Sequence, residues 1–309
     1  MREKVIAIVG PTAVGKTKLS VELAKRLDGE VISGDSMQIY RDMNIGTAKV
    51  TTEEMQGITH HMIDIKNFNE TFSVAEFQQT VRRLISDINA KGRLPILAGG
   101  TGLYIQSVLY DYQFSDASSD EDFRLELEEF AKLYGNEALH EKLQQVDIKS
   151  ASNIHPNNVR RVIRALEVFH VTGMTMHEYQ EQQSLEPCYQ DTIIGLTTER
   201  DKLYDRINKR VDEMIDKGLF DEVKGLYEVG LKGTQAGQAI GYKEVISFIE
   251  GQCSKEDAIS QLKQNSRRYA KRQFTWFRNK MDITWFDLTE DPFEQKLEEI
   301  LHYIAGKLS

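Results

Sequence analysis

At 309 residues the chain is long enough for two globular units of ordinary size, and its 40% apolar content, about 47% once its 21 glycines are added, excludes a disordered or fibrous protein. Acidic residues outnumber basic ones 48 to 39, so a nucleic-acid partner has to meet a local basic patch on an otherwise acidic surface. The two cysteines, Cys188 and Cys253, lie far apart in sequence, which excludes a disulfide framework and a thiolate zinc site and suits a reducing, cytoplasmic setting.

In chain order, Val5-Ile6-Ala7-Ile8-Val9 is a short apolar run rich in β-branched residues, the pattern of a strand buried on both faces of a parallel sheet. Gly10-Pro11 ends it well short of a secretory h-region, and no stretch approaches the roughly 20 apolar residues of a membrane helix; no leader and no membrane association are expected. Thr17 to Leu27 spaces Leu19, Leu23, Ala24 and Leu27 as a helix does. Glu30-Val31-Ile32-Ser33 reads as a second strand, Val74 to Ala90 as an amphipathic helix and Leu94-Pro95-Ile96-Leu97-Ala98 as a third strand. That alternation implies a parallel sheet flanked by helices, with its working edge at the carboxyl ends of the strands.

Ser115 to Asp120 is a polar connection, with Asp120 available to cap a helix, and helical spacing then continues to about Tyr189. Because Thr192-Ile193-Ile194-Gly195-Leu196 returns as a strand, the helical block reads as an insertion. The expected architecture is α/β: a P-loop-containing parallel sheet over 1–115 and 190–309, with an all-helical domain inserted at 116–189. Helices are expected at about 200–217, 219–229, 238–250 and 255–279, followed by a strand at Ile283-Thr284-Trp285-Phe286 and a terminal helix.

Gly10-Pro11-Thr12-Ala13-Val14-Gly15-Lys16-Thr17 matches G-x-x-x-x-G-K-[ST] in full, between a predicted strand and a predicted helix. Such a nucleotide-binding or ATP-binding motif rings a phosphate with backbone N–H groups, adds the Lys16 charge and offers the Thr17 hydroxyl to Mg2+. It specifies a diphosphate or triphosphate ligand and leaves the reaction open. An NTP hydrolase places an acid after a later strand; here Ile96-Leu97-Ala98 runs into Gly99-Gly100-Thr101-Gly102, which argues against a motor or switch ATPase. Asp35, at the end of the second strand, can face the same crevice, as a proton acceptor, as a ligand to a Mg2+-bound water, or as a simple helix cap. The polar loop Asn44-Ile45-Gly46-Thr47-Ala48-Lys49 fits a substrate-facing segment.

These segments, with Ile39-Tyr40, His155-Pro156-Asn157-Asn158, Arg160-Arg161, Arg164 to Val168 and Ala239 to Glu244, occur in an order that resembles the bacterial tRNA dimethylallyltransferases, the tRNA isopentenyltransferase family. The resemblance runs from residue 5 to about 278. It implies transfer of a dimethylallyl group from dimethylallyl diphosphate to N6 of the adenosine 3′-adjacent to the anticodon, with the P-loop holding the prenyl diphosphate. It also implies Asp35 as general base, Thr101 as hydrogen-bond donor to the bridging oxygen, Lys16 on the diphosphate and Mg2+ on Thr17. The tRNA anticodon stem-loop would be met by Asp35, Ser36, Met37, Gln38 and Thr101, by Arg124, Asn158, Val159, Arg160, Arg161 and Arg164, and by Gln238, Ile240, Gly241, Tyr242 and Lys243. A monomer is expected.

Independently of the resemblance, the stretch between Ala258 and Met281 contains no acid and seven bases, Lys263, Arg267, Arg268, Lys271, Arg272, Arg278 and Lys280. Helical spacing puts Arg267, Lys271 and Arg278 on one face and Tyr269, Gln273 and Trp276 on another that could pack inward. The basic face is the expected footprint of phosphate contacts, with Arg267 and Lys271 at its centre. His60-His61 with Asp64 reads as structural or substrate-lining, since neighbours on an extended segment point to opposite faces. Trp276 and Trp285 read as core anchors. The competing enzyme is a nucleoside-monophosphate-type kinase, which would use ATP and a lid of arginines such as Arg160, Arg161 and Arg164.

Overall fold

Six parallel strands form one sheet, β1 (Lys4–Val9), β2 (Gly29–Ser33), β3 (His60–His61), β4 (Leu94–Gly99), β5 (Gln190–Thr197) and β6 (Thr284–Asp287), in the spatial order β3-β2-β4-β1-β5-β6. The computed structural model describes residues 2–112, 114, 120–181, 186–290 and 292–308. β1 lies in the middle because both its faces are apolar: Val5 to Val9 are all fully buried, and Ile6 pairs with Ile96 on one side and Thr192 on the other. Each such Ile or Val removes apolar surface worth about 1.5–3 kcal/mol, which fixes the register of the central strands. β3 is two residues long, below what periodicity detects.

Right after β1, helix α1 (Lys16–Arg26) packs Leu19 and Leu23 onto the sheet, and the last helix, α13 (Phe293–Leu308), adds Ile300 and Ile304 to the same cluster. Between β2 and β4 come the short α2 (Thr52–Met55) and α3 (Val74–Ala90). Ser73 caps α3 in a reciprocal box with Glu76, and Phe77, Val81, Ile85 and Ile88 form its buried stripe. α4 (Gly102–Leu109) follows β4 directly.

The chain divides into two compact units, 1–109 with 187–309, and 110–186. The expected boundaries were 115/116 and 189/190. The chain re-enters the sheet unit earlier than Gln190 because the Cys188 amide already bonds the Leu109 carbonyl (2.9 Å); the polar connection at 115–119 lies outside the described residues. The second unit comprises α5 (Glu121–Val146), α6 (Ile148–Asn153), α7 (Val159–Thr172) and α8 (Met176–Glu181), around its own core of Leu127, Leu139, Leu143, Val162, Ile163 and Leu166. Asp120 caps α5 through the Phe123 amide, and α5 bends at Gly135, whose φ is +88°.

The sheet unit resumes with α9 (Arg200–Asp216), α10 (Leu219–Glu228), a 3-10 turn (Ala236–Gln238), α11 (Tyr242–Ile249) and the 26-residue α12 (Lys255–Lys280). The helix expected over 238–250 starts only at Tyr242, since Ala239 is extended (ψ 148°) and Gly241 takes φ +99°. Among the described residues, no helix is long and apolar enough to cross a membrane.

Candidate active site

β1 delivers the chain to the carboxyl edge of the sheet, where Gly10 to Gly15 wind into a ring. Gly10 has φ +145°, and a Cβ there would stand 2.7 Å from the Leu196 carbonyl oxygen; Ala13 and Gly15 also have positive φ. α1 starts at Lys16, so the amides of its first turn have no intrahelical acceptor and face the loop's concavity with the positive end of the helix dipole. The Lys16 ammonium lies across the ring, donating to the carbonyls of Gly10 (2.9 Å) and Pro11 (2.8 Å). Burial pushes its pKa down to about 7, the Arg210 guanidinium presses the same way, and the Asp35 carboxylate opposes both. Arg210, from α9, reaches the Thr12 hydroxyl (3.4 Å) and is itself lowered by burial, with Asp35, Glu54 and Glu213 opposing. Two desolvated cations thus flank the P-loop, an arrangement that asks for an anion.

Two cavities meet at this edge. One, of about 420 Å³, is lined by the P-loop with Lys16 and Thr17, by Ser33, His60 and Gly99-Gly100, and by Arg206 and Arg210. The other, of about 330 Å³, is lined by Ser36, Met37, Gly46, Ala48, Ile207, Met214, Gln238, Ile240, Lys243, Tyr269 and Arg272. Thr12, Asp35, Thr47 and Arg210 line both. Asp35 sits two residues past β2. Its Oδ1 accepts the amides of Met37 (2.8 Å) and Gln38 (3.3 Å), which fixes the carboxylate and leaves Oδ2 without a hydrogen bond among the described residues. Both readings of Asp35 are therefore present in one side chain: one oxygen caps the turn, the other is free at the junction.

Beside the P-loop, β4 ends in Gly99-Gly100-Thr101-Gly102. Thr101 immediately precedes α4, its carbonyl accepting from Tyr104 and Ile105, while its Oγ1 is buried without a hydrogen bond of good geometry. The inward face of α12 packs here: Gln273 is 5% exposed, its Oε1 accepts the Thr12 amide (2.8 Å) and its Nε2 donates to the Gly100 carbonyl (3.0 Å). Burial pushes the Tyr269 phenol up to about 12, with Asp35 adding to the rise and the Thr101 and Gln273 side chains pulling the other way. Trp276 fills the space over Gly102, where a Cβ would stand 2.1 Å from its ring.

The 44–49 loop is held by Glu222 of α10. Its carboxylate accepts the amides of Asn44 (3.0 Å), Ile45 (2.7 Å) and Gly46 (3.0 Å), and the Tyr242 hydroxyl (2.6 Å). Tyr242 is fully buried: the backbone at Gly241, φ +99°, precedes a Tyr242 ring that packs on Gly46, so this side chain faces the protein interior. Gly241 is buried as well, whereas Gln238, Ile240 and Lys243 line the second cavity with Ser36 and Met37. Gln38 lies on the P-loop side, bonded to Ser33 (3.1 Å) and to the carbonyls of Thr47 and Ala48 (3.4 Å each).

The seven bases of the acid-free stretch of α12, of which Lys280 is exposed at its end, divide by partner. Lys271 and Arg268 are exposed, and Arg267 is half-buried with a hydrogen bond to Asn208. Lys263 pairs with Asp212 (2.6 Å), Arg272 lines the second cavity, and Arg278 stacks on Phe274 (4.1 Å). In the helical unit, Asn158 precedes α7, and Val159, Arg160 and Arg161 open it with both arginines exposed. Arg124 and Arg164 both bind the buried Glu167 (2.7 Å each), which offsets part of their charge. His60, His61 and Asp64 go to three different partners: the Ile58 carbonyl (2.9 Å), Glu30 (2.7 Å) and Lys49 (2.6 Å). With Nδ1 engaged, His60 leaves a buried, unpartnered Nε2, and burial lowers its pKa. Sequence reasoning missed Arg210 and Glu222, because both sit in ordinary amphipathic helices.

The model of the IPP transferase family matches residues 38–280. The chain belongs to that family. Among IPP transferases it is 60% identical over 308 residues to the tRNA dimethylallyltransferase of Anoxybacillus flavithermus, covering 99% of this chain and 98% of that one. It is 62% identical over 307 residues to the tRNA dimethylallyltransferase of Bacillus cereus, covering 99% and 96%. The crystal structure of the full-length tRNA isopentenylpyrophosphate transferase of Bacillus halodurans superposes with a TM-score of 0.76 at 57% identity, covering 99% of this chain and 97% of that one. A eukaryotic dimethylallyltransferase acting on tRNA superposes with a TM-score of 0.84 at 31% identity, covering 99% and 79%.

Proposed function

We propose that this chain transfers the dimethylallyl group of dimethylallyl diphosphate to N6 of the adenosine 3′-adjacent to the anticodon of tRNA, as a cytoplasmic enzyme. The observation that carries the reading is the position of Asp35 at the junction of a cationic P-loop cavity and a second cavity with a more apolar lining. The names of its relatives, tRNA dimethylallyltransferases at 60% and 62% identity, support the same chemistry.

In this reading the diphosphate lies on the P-loop amides, with Lys16 and Arg210 on either side, and the flipped adenine enters from the second cavity. The N6 lone pair attacks C1, the C1–O bond breaks and the diphosphate leaves. The N6 proton passes to Asp35 Oδ2, whose partner oxygen is held by two amides. Adenine N6 is a weak nucleophile, so proton removal as the bond forms helps. The desolvated cations meet the charge that develops on the departing oxygens. The buried Thr101 Oγ1 is the donor for the bridging oxygen. Oxygen donors on the P-loop cavity, the Thr17 hydroxyl and the Asp35 carboxylate, fit Mg2+, which takes few protein ligands beside phosphate oxygens and water; Thr17 would hold it, and bound there it neutralises diphosphate charge. Ser36, Met37, Gln238, Ile240 and Lys243 would frame the base, and Arg267, Lys271 and, in the helical unit, Arg160 and Arg161 would meet RNA phosphates.

The test is to mix the protein with labelled dimethylallyl diphosphate, Mg2+ and unmodified tRNA, with AMP and ATP in parallel. Label in tRNA at the expected adenosine is the outcome of this reading. Label in AMP alone, or phosphoryl transfer from ATP, overturns it.

A further inference from the structure

We propose that Gln273 is the positioning residue of the diphosphate site, its carboxamide strapping the P-loop to the Gly99–Gly102 turn so that the loop amides and Thr101 address one leaving group. The proposal rests on the prenyl-transfer reading above. Gln273 lines neither cavity, so it acts through its two backbone partners and not on substrate.

A carboxamide has one accepting and one donating end. Here the accepting end meets an N–H, that of Thr12, and the donating end meets a C=O, that of Gly100; a flipped amide would set like against like on both sides. Both partners are backbone groups in a buried setting, where an unmet donor or acceptor is costly. The strap also selects which amides can bind phosphate: it uses the Thr12 N–H and leaves those that follow it in the loop. On the other side, a Cβ at Gly100 would stand 2.1 Å from Gln273 Nε2, so glycine is what lets the amide in.

The same face of α12 fixes the turn beyond Gly100. Trp276, one turn on, occupies the space over Gly102, and Tyr269, one turn back, lies beside Thr101. Thr101 is thus bracketed by contacts to the glycines before and after it, while its buried hydroxyl, beside the Tyr269 phenol, makes no hydrogen bond of good geometry. Spacing of i, i+4 and i+7 on one helix accounts for all three.

The experiment compares wild type, Gln273→Leu and Gln273→Glu. Dissociation constants for dimethylallyl diphosphate and for inorganic diphosphate with Mg2+ are read by calorimetry, tRNA affinity by filter binding, and transfer in a single turnover, from pH 5.5 to 8.5. Gln273→Leu is expected to weaken both diphosphates about 10-fold and slow single-turnover transfer about 10- to 100-fold, with tRNA affinity within about 2-fold of wild type. Gln273→Glu is expected to match that loss at pH 8, where the ionised carboxylate cannot donate to Gly100. It should recover toward wild type as pH falls, because a protonated carboxyl accepts from Thr12 and donates to Gly100 as the amide did. A folded Leu variant with wild-type diphosphate affinity and transfer rate overturns the proposal. So does a Glu variant whose ratio to wild type is flat across pH, a readout that survives if the Leu variant fails to fold. Wild-type protein that binds dimethylallyl diphosphate but labels no tRNA refutes the prenyl-transfer reading instead, and the inorganic diphosphate series then still decides the role of Gln273.

Discussion

Lys16 links the electrostatics of the P-loop to a measurable proton. Its pKa is held at about 7 against an ordinary 10.5, mainly by burial and then by Arg210. A diphosphate supplies the missing counter-charge, so the bound state should return the ammonium toward its ordinary value. Free protein is then about half protonated at Lys16 at pH 7 and about 1% at pH 9, while the complex stays protonated across that window. Affinity should therefore fall about 50-fold from pH 7 to pH 9, or about 2.3 kcal/mol at 1.36 kcal/mol per tenfold. The ligand's own last ionisation, near 6, is complete by pH 8. There, calorimetry of dimethylallyl diphosphate with Mg2+ in buffers of different ionisation enthalpy should show uptake of about 0.9 proton, lost in Lys16→Met. Uptake below about 0.3 proton, or affinity constant from pH 7 to 9, would refute the reasoning. The same shift has a sign for stability. A lysine lowered in the fold binds fewer protons than in the unfolded chain between pH 7 and 10.5, so its burden on stability eases as pH rises. Any gain in melting temperature of Lys16→Met over wild type should accordingly shrink from pH 7 to pH 10.

Asp35→Asn keeps the cap on Met37 and Gln38 but cannot take a proton, so single-turnover transfer should fall about 10²- to 10⁴-fold with substrate affinities changed about 3-fold or less; a near-wild-type rate would leave Asp35 only a cap. Reversing the charges at Arg267 and Lys271 should weaken binding of every substrate tRNA and flatten its salt dependence, with dimethylallyl diphosphate affinity unaltered; unchanged salt slopes would return these residues to structure. Glu222→Gln replaces a carboxylate that accepts four hydrogen bonds, and hydrogen exchange at Asn44 to Gly46 should rise about 10-fold or more with a matching loss of transfer, whereas Tyr242→Phe, which removes one of the four, should have a smaller effect. Replacing residues 110–186 by a short Gly/Ser linker should leave a core that folds and binds diphosphate with reduced tRNA affinity, since each unit has its own buried cluster and Leu109 and Cys188 are already joined by a hydrogen bond; wild-type tRNA affinity in the deletion would contradict the RNA-contacting role.

The central sheet was legible because its information is local. β1 is a contiguous apolar run, and Val74–Ala90 carries both a capping box and an apolar stripe, so strand, helix and crossover follow without tertiary knowledge. The P-loop is equally local, its glycines, lysine and threonine lying within eight residues. Arg210 and Gln273 carry no such mark. Counted from Thr12, Arg210 follows by 198 residues and Gln273 by 261; Arg210 is one polar residue on an amphipathic helix, and the helix of Gln273 stands out in sequence for its bases and not for this amide. Their relation to Thr12 exists only once α9 and α12 have packed on the sheet.

The segment around Gly241 divides its residues between two surroundings. Gln238 to Lys243 resembles a tRNA-contacting element, and its backbone runs from a 3-10 turn through an extended Ala239 to Gly241 at φ +99°. Each change of region rotates the next side chain, so Ile240 and Lys243 line the cavity while Tyr242 points inward to Glu222. Burial raises the Tyr242 phenol well above its ordinary range, and the Glu222 carboxylate reinforces that, so the hydroxyl stays a donor at any working pH. Glu222 accepts that bond together with the three loop amides, and the loop they hold lines both cavities. The tyrosine therefore serves the substrate site by fixing the backbone of the 44–46 loop, a role that residue type and spacing cannot separate from contact with the substrate itself.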